Sequence, residues 1–107
     1  MASGLLGAVT LAPASSTQTV YTVPGGITHA VVHITLNGPD AGAVNQLNTN
    51  AYVAVNGNSV LQPSGVLGTN NLGNAVSMML SPGNVVTVNK PAGSGMATCT
   101  VSGYEVV

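Results

Sequence analysis

Charged side chains are nearly absent from this chain of 107 residues, in which Asp40, Lys90 and Glu105 are the only ones. An ordinary soluble domain has Asp, Glu, Lys or Arg at about a quarter of its positions. Binding to a nucleic-acid backbone needs several Lys or Arg, as does a basic membrane-binding face, so we expect neither partner. Because almost no net charge keeps copies apart, we expect the chain to associate with itself or with another protein.

Aromatic residues and cysteine are also scarce. The chain has no Phe or Trp and only three Tyr, so Val, Leu, Ile, Met and Ala must fill the core. Cys99 has no second cysteine to pair with, which excludes an internal disulfide and predicts synthesis in a reducing cytosol. The first residues lack the basic region of a signal peptide, and no run approaches the roughly 18 apolar residues of a membrane span.

No group of side chains predicts catalysis or a cofactor. Cys99 alternates with apolar residues, a pattern typical of a buried thiol and not of a nucleophile. Asp40 in a turn and Glu105 near the C-terminus are unsuited to act as a pair of catalytic carboxylates. His29 and His33 would lie about 13 Å apart along a strand, at roughly 3.3 Å per residue, too far to share a metal ion. We therefore expect a non-enzymatic protein with no cofactor and no metal site.

The stretch Thr17 to Gly26 shows the pattern that the rest of the chain repeats. It reads as a short alternating strand with Tyr21 and Val23 on one face and Val20 and Thr22 on the other, and Pro24-Gly25-Gly26 predicts a turn after it. Thr28 to Leu36 follows with the clearest period-two apolar face in the chain. The further strands that this pattern predicts are Gly7 to Leu11, Ala51 to Val55, Ser59 to Leu61, Ala75 to Leu80, Val85 to Asn89 and Met96 to about Val106.

The turns between these strands predict the fold class. Asn56-Gly57 indicates a two-residue hairpin, and Ser81-Pro82-Gly83-Asn84 indicates a second one. In the last strand Gly103 predicts a bulge that would turn Tyr104 and Val106 inward. About eight strands with turns every 8 to 12 residues favour a single antiparallel β-sandwich of jelly-roll or Greek-key type, over residues 7–107.

Contact with partners is expected at the N-terminus and in two long loops. Residues 1–6 are predicted to form a flexible arm, in which two leucines would either dock on a neighbour or pack at the sandwich edge. The segments 37–50 and 62–74 are rich in Asn, Gln and Gly, and long loops on rigid sheets often carry contacts. The candidate contact residues are Ser3, Leu5, Leu6, Asp40, Val44, Gln46, Leu47, Val66 and Leu67.

Several of these motifs, in this order, resemble those of small phage structural proteins of β-sandwich type. The opening match runs from Leu11 to Gly26 and includes Tyr-Thr-Val-Pro. Asn56-Gly57, Leu80-Ser81-Pro82-Gly83 and the closing segment Ser94 to Glu105 follow in the corresponding places. Members of that group include capsid decoration (cement) proteins and pieces of tail fibres.

The resemblance implies a role in the virion. A free-standing chain of this length looks most like a decoration protein, made in the host cytoplasm, that binds the major capsid protein on the outer surface of an icosahedral shell. Such a protein would clamp neighbouring capsomers, as a homotrimer. The alternative is a receptor-binding or carbohydrate-binding module of a tail fibre.

Overall fold

Eight β-strands and no helix make up the part of the chain that the computed structural model describes, residues 3–11, 17–37, 51–61, 74–90 and 97–107. Their alternating burial follows the alternation of apolar and polar residues in the sequence. The strands are β1 (Ser3–Leu11), β2 (Thr17–Thr22), β3 (His29–Asn37), β4 (Tyr52–Val55), β5 (Asn58–Leu61), β6 (Asn74–Leu80), β7 (Val85–Asn89) and β8 (Ala97–Val106).

The strands form two four-stranded sheets with only antiparallel pairs. Sheet A has the order β1-β8-β3-β6, and sheet B has the order β2-β7-β4-β5. Six of the seven connections cross from one sheet to the other, and only β4 to β5 stays within a sheet, because those two strands are neighbours in sheet B. This is the order of a jelly roll, which confirms the predicted fold class.

The connection that stays within a sheet is the hairpin from β4 to β5. In that hairpin Asn56 and Gly57 both have positive φ, 51° and 84°. Such angles are those of the two central residues of a type I′ turn, so the predicted Asn-Gly hairpin is confirmed.

The connection between β6 and β7 forms the predicted turn but not the predicted hairpin. Ser81 accepts a hydrogen bond of 3.0 Å from the Asn84 amide, and the Ser81 amide donates one of 2.8 Å to Asn84 Oδ1. The turn forms as predicted, but the two strands belong to different sheets, so the predicted hairpin is wrong. A tight turn reverses the chain without deciding which strand becomes the neighbour, and both sides of β7 are already paired with β2 and β4.

Apolar side chains of both sheets meet in one core. The predicted inward face of β3 is confirmed, and Tyr21 is the one aromatic residue among the buried side chains of the described chain. Leu, Ile and Val fill most of the remaining space. The buried apolar residues are Leu11, Tyr21, Val23, Ala30, Val32, Ile34, Leu36, Ala51, Val53, Ala54, Leu61, Leu80, Val86, Val88, Ala97, Cys99 and Val101.

Strand β1 begins at Ser3, four residues before the predicted start at Gly7. Ser3 pairs with Tyr104, and Leu5 pairs with Ser102, because β8 extends far enough to offer these residues a ladder. The described part of the predicted arm is therefore strand, while Met1 and Ala2 lie outside the described residues. A register shift between Leu5 and Gly7 leaves Leu6 as an extra residue, a β-bulge, so Leu5 faces outward.

Gly103 does not form the predicted bulge in β8. The register between β3 and β8 runs without a shift, and Val32 lies opposite Gly103. Gly103 has φ 140°, and a Cβ at this position would lie 2.0 Å from the Val31 carbonyl oxygen, so glycine permits a close approach without an added residue. Alternation therefore continues unbroken, and it is Glu105 that is buried while Tyr104 is exposed. The predicted inward position of Tyr104 is wrong.

Candidate interaction surface

The outer face of sheet A carries most of the exposed large apolar residues of the described chain. Residues that are direct partners across an antiparallel pair share a face, so the pairs Met79–Val31 and Val31–Tyr104 place three side chains in one row across three strands. We call Met79, Val31 and Tyr104 the apolar row. Leu5 lies diagonal to Tyr104 on β1, on the same face.

Val31 is half-buried, and the other three side chains are open to solvent. Met79 is 66% exposed, Tyr104 47% and Leu5 68%, and Val107 just beyond β8 is 75% exposed. Scattered exposed apolar residues are ordinary on a protein surface, but a contiguous patch is typical of an interaction site. The apolar row and Leu5 are contiguous because their strands are adjacent in the sheet, so we identify this end of the face as the candidate interaction surface.

Many of the other side chains on the same face carry hydroxyl groups, and several of these are hydrogen-bonded within the sheet. Thr10 and Thr98 hydroxyls are 3.2 Å apart, and the hydroxyls of Thr35 and Thr100 are also hydrogen-bonded. His33 Nδ1 lies 3.0 Å from Ser77 Oγ. Because these groups have partners within the sheet, covering them with another protein would leave few polar atoms without a hydrogen bond.

Exposed charge is absent from the described part of the chain. Lys90 is 3% exposed and Glu105 8% exposed, while Asp40 lies outside the described residues. Sequence reasoning missed the burial of both side chains, since Lys and Glu are among the residues least often buried. The surface formed by the described residues has no exposed charged side chain, so it would attract a partner through shape and apolar contact, with little long-range electrostatic steering.

Glu105 is held by a hydrogen bond that crosses the sandwich. The Tyr21 hydroxyl donates to Glu105 Oε2 at 2.6 Å, and both residues are buried. Burial, the hydrogen bond to Glu105 and the charge of that carboxylate raise the pKa of Tyr21 above its ordinary value. The phenol therefore remains a proton donor, and the pair joins β2 of sheet B to β8 of sheet A.

Two other candidates for chemistry have ordinary surroundings. Cys99 is fully buried, and desolvation raises the pKa of its thiol to about 12, which opposes formation of a nucleophilic thiolate. His29 and His33 lie on the outer face of sheet A, as expected for the solvent-facing side of the strand. Within the described ranges, no three His, Cys, Asp or Glu residues come together as metal ligands.

The structure divides the predicted contact residues. Ser3 and Leu5 are exposed on the outer face of sheet A, beside Tyr104 and Ser102, whereas Leu6 is half-buried and packs against the core. Sequence reasoning missed Met79 and Tyr104 as contact candidates. The alternation of residues along β6 and β8 would have predicted that both side chains face outward, provided that Gly103 was not taken for a bulge. The predicted residues outside the described ranges are Asp40, Val44, Gln46, Leu47, Val66 and Leu67.

In comparisons of the sequence with known proteins, no family model matched and no curated protein matched. Among the described residues, no helix has the length and apolar character needed to cross a membrane.

Proposed function

We propose that this chain is a virion structural protein that decorates the outer surface of a phage capsid by binding the major capsid protein. The observation that carries the proposal is the outer face of sheet A, which presents an apolar row beside paired hydroxyls and has no exposed charge on its described residues. Such a face suits a permanent protein partner better than a small molecule, since it has no concave group of reactive side chains.

Attachment would use the rigidity of the sheet. Strands β8 and β3 are each hydrogen-bonded to a neighbouring strand on both sides. Tyr104 on β8 and Val31 on β3 are therefore positioned before binding. A pre-organised face loses little conformational entropy when it binds. A regular shell presents many equivalent sites, so even modest contacts become tight when several linked copies bind together.

The direct test uses empty shells of the phage that encodes the chain, prepared with this gene deleted. The purified protein is added, and co-sedimentation is measured at about 50 mM and about 500 mM NaCl. We expect saturable binding to the shells that changes less than about threefold between the two salt concentrations, because few charges contribute. No binding, or a loss of tenfold or more at high salt, would contradict the proposal.

A glycan array distinguishes this role from that of a carbohydrate-binding tail-fibre module. We expect no saturable glycan binding. Specific binding of one sugar class that is lost when Tyr104 is replaced, together with absent shell binding, would favour the tail-fibre role.

A further inference from the structure

Strand β6 forms one edge of sheet A. On one side it pairs with β3 over its whole length, from Leu80 opposite Ala30 to Asn74 opposite Leu36, without a register shift. On its other side no strand of the described residues pairs with it. With respect to the described strands, its outward backbone N–H and C=O groups thus form no ladder and offer a template for a further strand.

This edge lacks the features that usually prevent pairing between sheets. Proteins protect edge strands with charges, prolines, bulges or short length. The other three edges of the sandwich each have one: β1 has the bulge at Leu6, β2 has a register shift at Val20, and β5 has only four residues. β6 has seven residues, Asn-Ala-Val-Ser-Met-Met-Leu, with no charge, no proline and a continuous register.

We propose that β6 pairs with β6 of a second copy of this chain, antiparallel about a two-fold axis at Ser77, so that sheet A continues across two copies as eight strands. In this register Ser77 lies opposite its own equivalent, and Met79 lies opposite Ala75 on the outer face. On the inner face Met78 lies opposite Val76, two apolar side chains that already pack against the core. The strand is thus complementary to itself, as a two-fold interface requires.

The absence of charged residues in β6 favours a second copy of this chain, rather than a different protein, as the partner of this edge. A partner strand with Lys, Arg, Asp or Glu would find no counter-charge on β6, whose residues are all uncharged. A second copy brings a strand that is equally uncharged, and its outer face continues the pattern of hydroxyl and apolar groups. The inference does not depend on the capsid role, because it concerns only contact between copies.

Covalent trapping tests the register. Directly opposed residues of an antiparallel pair have Cα atoms about 4.5–5.5 Å apart, a distance that a disulfide can span. We expect the full-length Ser77→Cys variant to form a covalent dimer under mild oxidation, since the native Cys99 is fully buried. Thr10→Cys is the matched control, because Thr10 is exposed on the same face but lies on β1. Equal cross-linking of the two variants would overturn the proposal.

Mass in solution provides the second readout. We expect wild type to show a concentration-dependent dimer, and Ser77→Lys to weaken it by at least about tenfold, because two ammonium groups would face each other across the axis. Circular dichroism verifies that the variant keeps its strands. A wild-type protein that stays monomeric, or forms the trimer expected from the sequence, would overturn the proposal, since a three-fold ring requires contact between two different surfaces.

Discussion

The Tyr21 hydroxyl donates a hydrogen bond of 2.6 Å to Glu105 Oε2, and this bond joins two residues that are 84 positions apart in the sequence and lie in different sheets. It places a carboxylate inside a sandwich whose buried residues are otherwise almost all apolar. A buried charged group is tolerated where hydrogen bonds replace the water it has lost. Tyr21 is therefore both the buried aromatic side chain of the described core and a polar link between the sheets.

Replacing Tyr21 by Phe removes this donor and retains the ring. We expect the free energy of unfolding to fall by about 1.5–3 kcal/mol, the usual range for a hydrogen bond to a charged group. Urea denaturation followed by circular dichroism measures it. A double-mutant cycle with Glu105→Gln should show a coupling energy between the two sites. Additive effects of the two substitutions would contradict a direct role for the bond.

The same pair predicts a loss of stability at high pH. Because the pKa of Tyr21 is raised in the folded protein, the folded state favours the neutral phenol. This contribution is fully present below the ordinary pKa of tyrosine, about 10, and is lost as the pH rises above it. Urea midpoints measured from pH 8 to pH 11.5 should fall more steeply above about pH 10 for wild type than for Tyr21→Phe. Parallel curves would show that Tyr21 does not contribute.

Gly103→Ala tests the close approach of β8 to β3. The new Cβ would lie 2.0 Å from the Val31 carbonyl oxygen, at a φ of 140° that residues with side chains rarely adopt. We expect a loss of at least about 2 kcal/mol, or about 8 °C or more in the melting temperature. Gly25→Ala is the control, because a Cβ at Gly25 meets no atom within 4 Å. Equal melting temperatures for the two variants would contradict this reading of Gly103.

The Cys99 thiol should report on unfolding. It is fully buried and its pKa is raised to about 12, so both access and thiolate formation are opposed in the folded state. We expect a thiol reagent at pH 8 to label native protein slowly and protein in concentrated urea at once. The exposed thiol of Thr10→Cys provides the comparison within the same fold. Rapid labelling of Cys99 in native wild type would show that the core opens readily.

The fold was predictable from the sequence because its signals are local. Alternation fixed the inward face of β3, and Asn56-Gly57 fixed the one hairpin within a sheet. The turn at Ser81 to Asn84 was also recognisable, but the partner of each strand was not. Pairing between strands far apart in sequence depends on the packing of the whole sandwich. It therefore cannot be predicted from a local sequence pattern.

The candidate surface was harder to predict because it depends on register. The extra residue at Leu6 turns Leu5 outward, and the absence of an extra residue at Gly103 leaves Tyr104 outward. A shift of one residue moves every later side chain to the other face. Sequence reasoning placed a bulge at Gly103, so it did not predict that Tyr104 faces outward. It treated Leu5 and Leu6 alike, as residues of a flexible arm, because it placed no bulge at Leu6.

The most direct test of the proposed attachment surface compares two exposed tyrosines on opposite sides of the sandwich. Tyr104 lies on the outer face of sheet A, whereas Tyr52, 36% exposed, lies on that of sheet B. Circular dichroism first verifies that Tyr104→Lys and Tyr52→Lys both fold. Their binding to empty shells, prepared from phage in which this gene is deleted, is then measured by co-sedimentation. We expect Tyr104→Lys to bind at least about tenfold more weakly than wild type, and Tyr52→Lys to bind as wild type does. Unchanged binding by Tyr104→Lys would contradict the assignment of this face.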